Sequence, residues 1–198
     1  MPLAGVTVQA QTFDDLGYRY IFDVFPSSDH LALAGNDSYQ PAADFLGTRR
    51  VVRDPAHVTY VVNPTMDFRK RKTVADHAYW LSHLRLRDGE GEAPLGQVDA
   101  VSHGLGVTDP EPGPTQTSTG TLPPGNLGSF AYTERRKDWG EPGTEPVRDE
   151  LTIDAQNLRS LTVAVARAKL SCDAKVDATT DGPLTVKLAG CHRTLHFG

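Results

Sequence analysis

No apolar run in this sequence approaches the ~18–20 residues that a membrane-spanning helix needs. The first residues, Met1-Pro2-Leu3-Ala4, lack the basic start and apolar stretch of a signal peptide. No membrane partner is expected, and these residues encode no export. A basic surplus is missing too: 20 Lys and Arg stand against 25 Asp and Glu, a net charge of −5, which argues against nucleic acid as the main partner. Cysteine occurs twice, no internal repeat is evident, and the pattern Gly-x-Ser-x-Gly is absent. What remains, 198 residues with 38% hydrophobic content, can bury a real core as one large domain or one and a half small ones.

The charge is unevenly placed. Up to Gly47 the acids Asp14, Asp15, Asp23, Asp29, Asp37 and Asp44 face a single base, Arg19, so this segment holds the whole net charge and the remainder balances. Such a difference in composition marks two structural units. Cys172 and Cys191 flank the turn signal Thr180-Asp181-Gly182-Pro183 and are equidistant from Asp181-Gly182. In a hairpin they would fall opposite each other. A disulfide there would constrain the unfolded chain by roughly 3 kcal/mol and imply an oxidising compartment; two buried free thiols are the alternative. Pro183 lacks the N–H that a two-residue turn uses, which leaves the register open by one residue.

Val6, Ala10, Phe13 and Leu16 recur at spacings of three and four, with Gly17 after them, and predict a helix of about three turns. Residues 18–25 are aromatic and β-branched on both faces, the habit of a strand covered on both sides in a parallel sheet. A short loop then delivers His30. Asn36, Asp37 or Ser38 can cap a second helix through Ala42, Ala43, Phe45 and Leu46 to Gly47. This order predicts the closing helix-strand-helix unit of an α/β sheet over 1–47, with a histidine just beyond the carboxyl end of its strand. From 48 to 198 the pattern changes to short alternating runs. Strands are expected at 48–53, 57–62, 78–86, 98–105, 130–135, 151–155, 161–170, 174–178 and 184–188, which together predict an all-β sandwich. The alanines within 157–170 would also suit a helix. Residues 106–128, rich in Pro, Gly, Thr and Ser, are expected to form a mobile surface loop.

His30 has an ordinary reading as an exposed loop residue and a functional one as the general base of a Ser-His-acid triad. Several phrases in order favour the second. Pro2-Leu3-Ala4-Gly5, Gly17-Tyr18-Arg19-Tyr20, Asp29-His30 and Phe45-Leu46-Gly47 resemble the last portion of an α/β-hydrolase, specifically of secreted bacterial serine hydrolases of the prolyl-oligopeptidase-like group. Asp54-Pro55-Ala56-His57, Asp76-His77-Ala78-Tyr79-Trp80-Leu81 and Thr180-Asp181-Gly182-Pro183-Leu184 resemble the β-rich region that follows the hydrolase domain in some of them. The resemblance implies that His30 is the triad histidine of a peptidase- or esterase-like enzyme at the cell surface or outside it. The nucleophile and acid lie in a preceding hydrolase portion, which is the implied partner, because this chain has no nucleophile elbow and neither Asp23 nor Asp29 occupies the acid's place. The chain alone is then catalytically incomplete.

A different class of reading is a non-catalytic sandwich that recognises a glycan, a wall polymer or the hydrolase body. Trp80 shares a face with Ala78, Leu84 and Leu86 and is expected in the core, whereas Trp139, between Asp138 and Gly140, is the better candidate for exposure. No cofactor is expected. His77, His83 and His103 lack the spacing of a metal centre, so none is expected there. Arg69-Lys70-Arg71-Lys72 reads as a solvated basic loop.

Overall fold

The computed structural model describes residues 3–27, 39–47, 50–90, 94–125 and 127–198. It is mostly β, 49% strand and 16% helix. The chain divides into two compact units, Met1–Val51 with Pro110–Glu141, and Val52–Asp109 with Pro142–Gly198.

In the first unit, α1 (Leu3–Asp15) leads into β1 (Tyr20–Val24), and a short helix α2 (Gln40–Leu46) follows. Gly17 ends α1 in a left-handed conformation, φ 73°. There its own N–H reaches the Asp14 carbonyl and the Tyr18 N–H reaches that of Phe13, the paired bonds of a Schellman cap. The caps expected for the second helix, Asn36 to Ser38, lie outside the described residues.

The parallel neighbour expected of β1 is not found among the described residues. Its neighbour is β7 (Gly128–Lys137), which runs antiparallel to it, with Tyr20 opposite Lys137 and Val24 opposite Thr133. Beyond β7 lies β6 (Gln116–Gly125), so the sheet order is β1-β7-β6 with β1 at an edge. Two apolar faces show that a strand is covered on both sides but do not fix the direction of its neighbour. Residues 106–128, expected as loop, carry β5 (Val107–Pro112) and β6. The threonines at 117, 119 and 121 supply β-branched side chains, and the ladder to β7 supplies the backbone bonds that a reading based on hydrophobic burial leaves out.

The second unit is the sandwich. One sheet has the order β13 (Arg193–Phe197), β12 (Leu184–Leu188), β10 (Leu158–Val163), β3 (Leu81–Leu86). The other runs β11 (Lys175–Thr180), β9 (Glu150–Gln156), β4 (Gly96–Ser102), β2 (His57–Val62). Strict alternation buries Leu151, Ile153 and Ala155 from β9, Val98 and Ala100 from β4, and Leu184, Val186 and Leu188 from β12 in one shared core. Trp80 joins that core, its indole N–H donating to the Pro55 carbonyl at 2.7 Å. Parity along 78–86 is broken at His83, whose φ of 52° accompanies a bulge against β10, and this lets Leu81 and Leu84 both point inward. No strand forms at 50–53 among the described residues. Strands β5, β8 (Trp139–Thr144) and β13 are additions to the expected set, and β5 and β8 form a two-stranded ribbon. The alanine-rich stretch splits into strand to Val163 and then a helical turn in which Ala168 N–H reaches the Ala164 carbonyl.

Cys172 and Cys191 form a disulfide, Cα to Cα 5.2 Å. The hairpin that predicted it does not exist: β11 pairs in parallel with β9 and β12 in parallel with β10, so the chain turns at Asp181-Gly182 from one sheet to the other. Equal distance from the corner still brings the cysteines together, across the sandwich instead of across a ladder.

Candidate functional site

His30, the one catalytic residue expected, lies outside the described residues. The described part of the first unit does hold an open cleft of about 370 Å³. Aromatic and apolar side chains, Phe13, Tyr18, Tyr20, Ile21, Phe45 and Trp139, surround Arg19 there. The helix cap builds one wall: by fixing Tyr18 against Phe13 it sets their rings edge to face, centroids 5.8 Å apart. It also leaves the Gly17 carbonyl free to accept the Trp139 indole N–H at 2.7 Å, which pins an indole that is still 45% exposed. Tyr18 is 50% exposed beside it. Arg19 lies over the Phe45 ring at 3.9 Å, donates to the Phe45 carbonyl and pairs with Asp138 at 3.3 Å. Its charge is therefore committed, and the cleft offers flat ring faces more than a free ionic anchor.

Beneath the cleft, Asp14 gathers Thr115, Tyr20, Arg135 at 2.7 Å and Lys137 at 3.2 Å. The Thr115 hydrogen bond is the largest influence on its carboxyl, and with the bonds from Arg135 and Lys137 it outweighs the opposing effect of burial and holds the pKa far below the usual range. Asp23 behaves oppositely: burial first, then the charge of Glu134 directly across the β1–β7 ladder, pushes its pKa up.

The chain matches no protein-family model, no curated protein and no solved structure.

The second unit brings together two histidine clusters that sequence reasoning missed. His57 Nε2 lies 2.9 Å from Asp99 and Nδ1 meets Asp109. Thr59 Oγ1 is 3.3 Å from His57 Nε2, but it donates to Asp99 at 2.7 Å, so its proton points at a carboxylate and not at a base. A nucleophile-base pair of the triad type needs the reverse. His103 Nδ1 sits 2.7 Å from Glu145, Arg148 pairs with the same Glu145 at 3.2 Å, and Thr152 Oγ1 lies 3.2 Å from His103 Nε2. Among the described residues neither cluster has a serine hydroxyl as a hydrogen-bond partner. Among the described residues no group of three or more His, Cys, Asp and Glu is placed to hold a metal ion. His83 turns outward on the β3 bulge with His77 nearby in sequence and exposed. The only signal for the cleft was the Gly17 stop next to an aromatic pair, and the only one for Trp139 was its polar setting.

Proposed function

We propose that this chain is the C-terminal portion of an exported serine hydrolase of the α/β-hydrolase class, peptidase- or esterase-like, with His30 as its triad histidine and the sandwich as its accessory domain. The observation that carries the reading is the strand before His30: among the described residues β1 is an edge strand with one partner, so a second row of backbone donors and acceptors remains for a strand of a hydrolase sheet to join. The disulfide fits an oxidising compartment. The test compares two polypeptides. This chain alone takes up no fluorophosphonate serine-hydrolase probe, whereas a longer product read in frame from the DNA upstream of Met1, encoding Gly-x-Ser-x-Gly and then an acid, is labelled and loses labelling in His30→Ala. Labelling of this chain alone, or a His30→Ala product that labels fully, defeats the proposal.

The cleft favours a second reading, a non-catalytic module that recognises a glycan or wall polymer. Sugar rings stack on exposed indole and phenol faces, and Trp139 and Tyr18 present both in one concave site. Titrating the chain with soluble wall oligosaccharides should shift indole fluorescence, and Trp139→Ala should abolish binding. Equal binding by the variant removes the cleft from consideration.

A further inference from the structure

His57, the first residue of β2, is the one imidazole among the described residues with a carboxylate on each ring nitrogen: Asp99 from β4 at Nε2, 2.9 Å, and Asp109 from β5 at Nδ1. A neutral imidazole carries a single N–H, so it can donate to one of these carboxylates only while turning a lone pair toward the other. The imidazolium donates to both. Which contact fails on deprotonation is decided by the carboxylates' other partners. Asp99 also accepts the Thr59 hydroxyl at 2.7 Å and lies within β4, which is paired on both sides, with β2 and with β9. Asp109 has a side chain 64% exposed and lies in β5, which is paired on one side, to β8.

We propose that His57 is a proton-operated clasp. When protonated, it holds the start of the β5–β8 ribbon to the β2–β4 edge of the sandwich; when neutral, it keeps Asp99 and releases Asp109. Asp109 is the last residue of the Val52–Asp109 stretch of the second unit, so the clasp acts on the end of that stretch. The groups facing the ring are Asp99 from β4, Asp109 from β5 and, from its own strand, the Thr59 hydroxyl. Burial is the largest single influence and disfavours the charged ring, yet the bonds to Asp109 and Asp99 together outweigh it and raise the pKa above the ordinary 6.5. A raised folded pKa stabilises fully below the unfolded value and is lost as pH rises through the folded one. The clasp is therefore closed below 6.5 and opens as pH rises through the raised folded pKa.

The test uses the full chain, with histidine ring resonances followed by NMR and amide exchange at Val107 to Asp109 corrected for chemical exchange rates. The expected result is a His57 midpoint above 6.5 in the unaltered chain, with loss of protection at these amides over the same pH range. Asp109→Asn should lower the midpoint and leave the ribbon amides as open in acid as the unaltered chain's are in base. Asp99→Asn separates this from general loosening: the neutral ring can then give its one N–H to Asp109, so protection should persist to high pH. Flat protection across the His57 titration, an unmoved midpoint in Asp109→Asn, or pH-dependent opening in Asp99→Asn each overturns the proposal.

Discussion

Removing the Cys172–Cys191 bond, by Cys172→Ala with Cys191→Ala, tests the inter-sheet corner directly. The closed loop has a sequence separation of 19, for which unfolded-state entropy assigns the bond about 3 kcal/mol. A sandwich on the order of 100 residues loses ~4 °C of Tm per kcal/mol, so the double variant should melt roughly 12 °C lower. Part of the closure is also made without the bond: Arg193 on β13 donates to the carbonyls of Cys172 and Ala174, both at 2.8 Å. Arg193→Ala should therefore cost more in the cysteine-free chain than in the oxidised one, a coupling of about 1 kcal/mol. Thermal unfolding followed by the fluorescence of buried Trp80, in a Trp139→Phe background, reads the sandwich alone. A melting point lowered by less than ~4 °C would refute the reasoning, because it would mean that the two strands leaving the corner are fixed by their sheets in the unfolded ensemble as well.

Three other outcomes are expected. Asp14, whose carboxyl is held low by Thr115, Arg135 and Lys137, contributes stability that is present above its unfolded value of 3.8 and lost as pH falls through its lower folded one; acid unfolding of the first unit, read through Trp139 fluorescence, should begin at higher pH in Asp14→Asn. Asn157 has φ 52°, takes the Asp88 N–H on its side-chain oxygen and donates its amide to the carbonyls of Asp88 and Leu95; Asn157→Gly should cost about 2 kcal/mol for these bonds, and Asn157→Ala roughly 1 kcal/mol more for the left-handed backbone, by urea unfolding. A Cβ on Gly104 would stand 2.2 Å from the Lys169 carbonyl oxygen, so Gly104→Ala should destabilise the sandwich by at least ~2 kcal/mol, because backbone has to move.

The elements most legible in the sequence were those whose period matched their burial. Strands β2 and β12 appear with the bounds expected of them because each alternates cleanly and has one wet face. Gly17 was readable as a helix stop because no residue with a Cβ takes its conformation cheaply. Strands β5, β6 and β8 were not legible: their side chains are mostly small or polar, and what makes them strands is backbone pairing, β5 with β8 across the intervening strands and β6 with β7 across a hairpin. The disulfide was found by a symmetry argument that holds for any two strands leaving one corner, and so it could not distinguish a ladder from a crossing between sheets. Of the cleft, Trp139 was legible as exposed, but its position beside Tyr18 depends on folding 110–141 together with 1–51. The His57 cluster left no trace, since residues 57, 99 and 109 follow no local period.

The discontinuity of the sandwich has a consequence for synthesis and for proteolysis. Each of its sheets takes strands from both sides of the intervening 110–141 segment: β2 and β4 wait for β9 and β11, and β3 waits for β10, β12 and β13. The sheet of β2 and β4 cannot be completed on the ribosome until Thr180 has emerged, nor that of β3 until Phe197 has, and until then these three strands lack most of their partners. After folding the same interleaving works in the protein's favour. A protease that nicks the chain between Pro110 and Glu141 severs the covalent thread, yet the fragments share two sheets and one core, and they remain joined by strand pairing, with no contribution from a disulfide whose two cysteines lie on the same fragment.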